Sequence, residues 1–245
     1  GRLYTLVADH VVQGRVVFPG AAYLETARAA WSATTASSAG AAGLHAVFFL
    51  HPLVLEAELK GAGVWLECAL REGSTFEVRA SSGGSSQLAD SPICCSGTAS
   101  SPASVMVQAS SIEARRSGCI GAGSVEAQYD SFDTVGLEYG PAYRLLRCMW
   151  AGGKEHGDGT RRCGVARLAR GKESREVSVH PAELDGALQL SALLGSDGDG
   201  ETRLPFAVDK SLLQGSTSEA WAVSQRTCTC ALLRVLLLVA HSHSC

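Results

Sequence analysis

The stretch from Gly20 to Ala33, GAAYLETARAAWSA, constrains the fold more than any other part of the chain. Alanine dominates it, and Tyr23, Leu24, Ala27 and Trp31 recur at helical spacing, so it reads as a helix that starts naturally after Pro19. A helix this apolar belongs in an interior, and something must be wrapped around it. A second helix of the same kind, PAELDGALQLSALL, is expected from Pro181 to Leu194. The segments that follow the first helix supply a cover. Ala46 to Leu55, Val64 to Leu70 and Thr75 to Ala80 have the β-branched and aromatic content of strands, and Gly61, Gly63, Gly73, Gly83 and Gly84 punctuate them.

Ser96 to Ser124 is rich in Ser, Ala and Gly, contains Pro102 and shows little periodicity. It suits an extended or flexible linker, placed at 101–125 between an N-terminal half, 1–100, and a C-terminal half, 126–245. Beyond it the outline repeats, with strands expected at Leu145 to Trp150, Gly164 to Leu168 and Cys228 to Val239 around the second helix. Two similar α+β halves are implied without a direct sequence repeat.

The 245 residues are 46% apolar, enough for a substantial core. A formal net charge of -3, spread along the chain, gives no field for a polyanion, so nucleic acid is not an expected partner. The nine cysteines are odd in number and lack the paired spacing of a zinc site. They read as free thiols in a reducing compartment, hence a cytoplasmic protein. No basic segment followed by an apolar run opens the sequence, so no secretory signal is expected there. Leu232 to Ala240 is interrupted by Arg234 and falls far short of the roughly 20 residues a bilayer demands, so it is expected to be a buried strand and no membrane partner is expected.

Chemistry concentrates in two places. In Asp9-His10-Val-Val-Gln-Gly14-Arg-Val-Val-Phe-Pro19-Gly20 a histidine lies on an apolar stretch just before the first buried helix. A lone histidine there is ordinarily a core residue bonded to backbone. Here, however, the Gly20 N–H at the helix N-terminus can donate to a carbonyl oxygen gaining negative charge, as in a thioester enolate. An imidazole, neutral near pH 7, suits removal of the adjacent proton. In the second helix Asp185 and Gln189 are four residues apart and share a face, so the Gln189 amide can orient the carboxyl. Leu184, Ala187, Leu188 and Leu190 surround it. Desolvation should keep that carboxyl protonated and able to donate to a departing hydroxyl. A third patch, Gly136-Leu-Glu-Tyr139-Gly140-Pro141-Ala-Tyr143, can line a channel with aromatic rings. His241-Ser-His243 lacks a third ligand and reads as a tail, and His45 and His51 are expected at strand or loop surfaces.

Together these segments resemble the dehydratase domains of polyketide synthases. DHVVQGRVVFPGAAYLE is similar to the family's H-x3-G-x4-P motif, GLEYGPAY to G-Y-x-Y-G-P-x-F, and LDGALQ to D-x3-Q/H, in the same order and at similar separations. Leu204 to Phe206 resembles a further family segment, and His51 to Leu53 stands where the family has an apolar strand. Leu137 replaces the first tyrosine of the middle motif, and Tyr143 replaces its phenylalanine. Gln225 to Cys245 does not resemble the family's closing strands, so the second half is expected to be incomplete at its end, and the first strand of the front half is expected to be absent. The resemblance implies a double hot-dog fold, two halves each wrapping a sheet around a central helix, with the active site where they meet. It implies elimination of water from a 3-hydroxyacyl thioester by His10 as base and Asp185 as acid, with Gly14, Pro19, Gly20, Tyr139 and Gln189 at the substrate. It also implies a substrate borne on the phosphopantetheine of an acyl carrier protein, neighbouring synthase domains, a homodimer, and no metal or nicotinamide in the domain itself. Relatives on this fold that template a cyclisation or shift a double bond, and a non-catalytic structural domain, are the alternatives.

Overall fold

In the computed structural model the described residues are 2–35, 40–55, 63–81, 85–102, 112–119, 121–152, 162–171, 177–192, 204–213, 220–226 and 233–239. A short helix α1 (Arg2–Val7) leads into a hairpin of β1 (His10–Val12) and β2 (Arg15–Val16). Its two connecting residues, Gln13 and Gly14, both have positive φ, +50° and +72°. That is the backbone a type I′ turn requires, and it explains the glycine. Helix α2 (Gly20–Thr35) then buries Ala21, Ala22, Tyr23, Leu24 and Ala27. Strands β3 (Ala42–Phe49), β4 (Trp65–Leu70), β5 (Thr75–Ser81) and β6 (Ile93–Ser100) curl around it in the order β4-β5-β6-β3.

The second half opens with α3 (Ile112–Ser117), β7 (Gly121–Gly123), α4 (Val125–Thr134) and β8 (Leu137–Tyr139). It continues through β9 (Leu146–Gly152), β10 (Arg162–Leu168), α5 (Pro181–Ala192), β11 (Ala207–Leu213), β12 (Ala220–Arg226) and β13 (Leu233–Val239). Helix α5 packs on β10, β12 and β13 and touches α2. An antiparallel β3–β11 pairing, from Ala42↔Leu213 to Phe48↔Ala207, fuses the two sheets into one of ten strands. The halves meet a second time in a three-stranded sheet, β2-β1-β8, where His10 lies opposite Tyr139. Two helices, each inside a curved and mostly antiparallel wrap, with β11 and β13 the one parallel pair among the described strands, form the double hot-dog architecture.

Several expectations shift. The strand expected at Ala46 to Leu55 begins at Ala42 and ends at Phe49, because the Leu50 and His51 N–H groups both turn to the Cys94 carbonyl, at 2.8 and 3.3 Å. Ser96 to Ser100, read as the start of a linker, extend β6. Their small side chains are what the packing needs, since a Cβ at Gly97 would stand 2.9 Å from the Phe76 ring. Within 101–125 the described residues include α3 and β7, the latter hydrogen-bonded to β9. Strands β11 and β12 were not anticipated, and β12 and β13 pair antiparallel within Gln225 to Cys245 and just before it. Residues 193–194, 228–232 and 240–245, with His241 and His243, lie outside the described residues. His45 is half-buried in β3, and His51 is exposed. Among the described residues no helix is long and apolar enough to cross a membrane, and no three metal-ligating side chains cluster.

One charged pair lies inside the helix layer. The Arg28 guanidinium donates to both Glu25 oxygens, Nε to Oε2 at 2.6 Å and Nη2 to Oε1 at 2.8 Å, and also to the Gly40 carbonyl. Glu25 in turn accepts the Ser178 N–H at 2.8 Å, which ties α2 to the approach to α5. Removing one partner of a buried pair strands the other's charge, so Arg28→Ala should cost about 3–5 kcal/mol in urea unfolding. The double change Glu25→Leu with Arg28→Met should cost less than Arg28→Ala alone, and a larger loss in the double variant would contradict the stranded-charge account.

Candidate active site

His10 opens β1 and is buried, 4% exposed, while Asp185 sits mid-helix in α5 at 3%. The His10 Nδ1 lies 2.7 Å from the Val17 carbonyl oxygen. A carbonyl only accepts, so Nδ1 carries a proton, and in the neutral tautomer this selects the Nε2 lone pair would point the other way. Nε2 faces Asp185 Oδ1 at 3.7 Å, just beyond hydrogen-bond length. The Tyr139 and Tyr143 rings meet the imidazole edge-on, with centroids at 5.6 and 5.5 Å, and keep it from rotating.

The other carboxyl oxygen belongs to a chain of hydrogen bonds. Gln189 Nε2 donates to Asp185 Oδ2 at 2.9 Å and to the Tyr143 carbonyl at 3.1 Å. Gln189 Oε1 accepts from the Tyr129 hydroxyl at 3.1 Å, and that hydroxyl accepts the Leu146 N–H at 3.2 Å. Each donor in this series has an acceptor, which fixes the Gln189 amide orientation and hence the carboxyl plane. Burial holds Asp185 above the ordinary carboxylate range, offset in part by His10 and the Gln189 bond. Burial likewise pushes the Tyr129 phenol up to about 12, and the Tyr139 phenol is raised by burial and by Asp185.

Beside the two groups opens a cavity of about 150 Å³ whose walls include Val17, Phe18, Phe49, Phe132, Leu137 and Leu188. His10, Gly20, Tyr139, Asp185 and Gln189 all reach it. Gly20 heads α2, where first-turn N–H groups have no carbonyl a turn behind them. A Cβ at Gly20 would stand 3.2 Å from the Phe49 ring, so the glycine admits the aromatic wall. The other two expected site residues serve elsewhere. Gly14 is exposed at the tip of the β1–β2 hairpin, its N–H donating to Glu138 Oε1 at 3.1 Å, with nothing within 4 Å of where its Cβ would be. Pro19 is buried beside the cavity, and its carbonyl accepts the Ala22 N–H at 2.9 Å in the first turn of α2. Tyr143, expected in the channel, is fully buried behind His10.

Two contributors went unread in the sequence. Tyr129 completes the Gln189 chain from α4, and the only hint was its spacing three residues before Phe132. Asp9 clamps the Gly140 loop across the two halves, with its carbonyl accepting the Gly140 N–H at 2.8 Å and Oδ2 accepting the Ala142 N–H at 2.7 Å. A Cβ at Gly140 would fall 2.5 Å from Asp9 Cγ, so the glycine of the Y-G-P run is a requirement of this clamp. No sequence pattern linked Asp9 to a loop more than a hundred residues on.

Comparison with known proteins places this architecture. Residues 2–81 match the family model described as the polyketide synthase dehydratase domain, and residues 108–231 match the one described as the polyketide synthase dehydratase N-terminal domain. The chain is 34% identical over 240 residues to the polyketide synthase ThaG of Burkholderia thailandensis, covering 94% of this chain and 4% of that protein. It is 27% identical over 227 residues to the polyketide synthase PksN of Bacillus subtilis, covering 89% of this chain and again 4% of the relative. The chain therefore spans a small fraction of these long relatives. Its fold is similar to the dehydratase domain from the CurF module of curacin polyketide synthase, with TM-score 0.76 and 22% identity over 96% of this chain and 82% of that one. A trans-AT polyketide synthase dehydratase domain from Brevibacillus brevis matches with TM-score 0.70 and 22% identity, over 96% and 84% of the two chains. With both halves matched in sequence and the double hot-dog shared in structure, this chain belongs to the dehydratase domain family of polyketide synthases.

Proposed function

We propose that this domain removes water from a 3-hydroxyacyl thioester to give an enoyl thioester, with His10 as base and Asp185 as acid. The observation that carries the reading is the approach of His10 Nε2 to Asp185 Oδ1 at 3.7 Å on the wall of one mostly apolar cavity. The His10 Nε2 lone pair takes a proton from C2, and the electrons of that C–H bond pass into the thioester, whose oxygen accepts from the Gly20 N–H. They return to form the C2=C3 bond as the C3–O bond breaks, and the Asp185 proton leaves with the hydroxyl as water. The proton on His10 then passes to the Asp185 carboxylate, which restores both groups. Nothing is consumed besides substrate, and no cofactor enters the scheme.

The relatives are long polyketide synthases, and by analogy the substrate arrives on the phosphopantetheine of an acyl carrier protein, within a cytoplasmic, dimeric synthase whose neighbouring domains adjoin this one. We place the junction between the halves within 101–125, ahead of α3. Among the similar structures are inactive mutants of the CurK dehydratase in which a histidine became phenylalanine or an aspartate became asparagine, which supports a histidine and an aspartate in these roles.

Incubation with a synthetic 3-hydroxyacyl carrier-protein thioester should give loss of one water by mass spectrometry. His10→Ala and Asp185→Asn should each slow it by about 10²–10⁴-fold, the usual worth of a positioned acid or base. A folded wild-type domain that leaves the substrate intact would move the reading to a structural or cyclisation-templating role. Because acid and base stand only 3.7 Å apart, hydrogen and hydroxyl should leave from the same face of the C2–C3 bond. Substrates deuterated at one C2 position read this directly, and retention of label opposite to that geometry would contradict it.

The raised Asp185 also makes a prediction about stability. The folded protein holds this proton more tightly than the unfolded chain does. That contribution is present below the unfolded carboxyl pKa and is lost as pH rises through the folded one. Asp185→Asn, which stays neutral, should melt higher than wild type by roughly 2–4 °C per kcal/mol recovered at alkaline pH, and by less at pH 5. Equal gains at pH 5 and pH 8 would show that the carboxyl is not destabilised by burial.

A further inference from the structure

The segment from Tyr143 to Leu146 supplies both backbone contacts of the polar chain behind Asp185. The Tyr143 carbonyl accepts from Gln189 Nε2 at 3.1 Å, and the Leu146 N–H donates to the Tyr129 hydroxyl at 3.2 Å. Arg144 lies between these two residues, and its side chain reaches three further groups. Nε donates to the Tyr139 carbonyl at 2.8 Å, Nη2 donates to Asp133 Oδ2 at 2.9 Å, and the guanidinium carbon stands 5.1 Å from the centroid of the Tyr129 ring. Tyr129 and Asp133 are four residues apart on α4, so they share one face and receive the guanidinium together. Tyr139, the third anchor, is the β8 residue opposite His10, with its ring edge-on to the imidazole. The Arg144 and Asp133 side chains are 42% and 43% exposed, and an ion pair so open to water contributes little by itself. The use of this one lies in what the planar fork holds still.

We propose that Arg144 is a positioning residue for the acid: it pins residues 143–146 to α4 and β8, and so sets the Gln189 amide and, through it, the Asp185 carboxyl. This rests on the dehydratase reading above, since the task of Asp185 there is what makes its orientation matter. A guanidinium suits the place because it donates along one edge, pairs along another and lays its flat face on a ring at the same time, which the point charge of a lysine cannot do. Its charge also offsets part of the rise that burial imposes on the Tyr129 phenol, which makes that hydroxyl a better donor to Gln189 Oε1. Without the fork, the Tyr143 carbonyl and the Leu146 N–H lose their common anchor, and the bonds they make to Gln189 and Tyr129 loosen together. Arg144 stands outside the described lining of the cavity, so its effect falls on the chemical step and not on substrate affinity.

The test is a double-mutant cycle on a synthetic 3-hydroxyacyl carrier-protein thioester. Arg144→Met keeps an unbranched stem and removes fork and charge, and it should lower kcat about tenfold while leaving KM within about twofold. Arg144→Lys keeps the charge alone and should still lose at least about threefold. In a Tyr129→Phe background, where the ring remains but the link to Gln189 is already cut, Arg144→Met should cost no more than about threefold. An unchanged kcat in Arg144→Met, a wild-type kcat in Arg144→Lys, or a loss that falls on KM overturns the assignment. So does the full loss repeated in the Tyr129→Phe background, because a residue that only stabilises the fold acts equally in both. If Arg144→Met fails to fold, Arg144→Lys in the same two backgrounds carries the comparison. If the wild type dehydrates nothing, the dehydratase reading fails separately, and exchange of the Gln189 side-chain amide protons, followed by NMR, decides the role of Arg144. Exchange about tenfold faster in Arg144→Lys upholds it, and an unchanged rate removes it.

Discussion

The pairing of β1 with β8 is the constraint on which the rest of the site depends. His10 belongs to the front half and Asp185 to the back half, and the register that sets His10 opposite Tyr139 is what brings the imidazole over α5. A strand register is discrete, and a slip of one residue would turn His10 to the other face of its sheet. Two local devices prevent that slip. The type I′ turn at Gln13 and Gly14 fixes β1 against β2, and the Asp9 clamp on Gly140 and Ala142 fixes its other end against the back half. Gly14, which looked like a substrate contact, thus acts on the site through the geometry of the strand before it. The separation of Nε2 and Oδ1 is a property of the interface between the halves, and neither half contains it alone.

Burial then decides what the two groups can do. Asp185 lies within a helix whose neighbours are almost all apolar, and desolvation favours its neutral form. A protonated carboxyl needs one acceptor-side and one donor-side partner, and Gln189 supplies the donor to Oδ2 while Oδ1 is left toward His10 and the cavity. The Gln189 amide would rotate freely if its own oxygen were unpaired. Tyr129, itself fixed by the Leu146 N–H, closes that freedom. So a polar chain three residues deep, running from β9 to α5, holds one proton in place. Burying such a chain is favourable only because every member is satisfied.

The sequence made the layout of this site legible because its signals are local. An alanine-rich helix after Pro-Gly announces burial, and Asp185 with Gln189 at i, i+4 announces a shared face, whatever the rest of the chain does. What failed to show was long-range. Asp9 and Tyr129 act on partners 133 and 60 residues away, and nothing in their own neighbourhoods marks them. The strands β11 and β12 escaped for a related reason. β11 carries Asp209, Lys210 and Ser211 in its middle and becomes a strand through pairing with β3, so tertiary context overrides a weak local preference. Ser96 to Ser100 misled in the opposite sense, since a small-residue run that resembles a linker is what a strand needs where it passes under the Phe76 ring.

The two central helices make different and complementary contributions to the proposed reaction. Helix α2 offers its N-terminus, where Gly20 lines the cavity at the positive end of the helix dipole. Helix α5 offers its middle, where dipole effects are small and a carboxyl is governed by desolvation instead. An enolate formed beside Gly20 would be repelled by an ionised Asp185 a few ångströms away, so keeping that carboxyl neutral until the hydroxyl departs serves both steps. The same dry walls that raise Asp185, Phe18, Phe49, Phe132 and Leu188 among them, also lower the local dielectric and strengthen the Gly20 interaction with developing charge. Acid strength and oxyanion stabilisation therefore share one physical origin. Opening the cavity to water would weaken the two together.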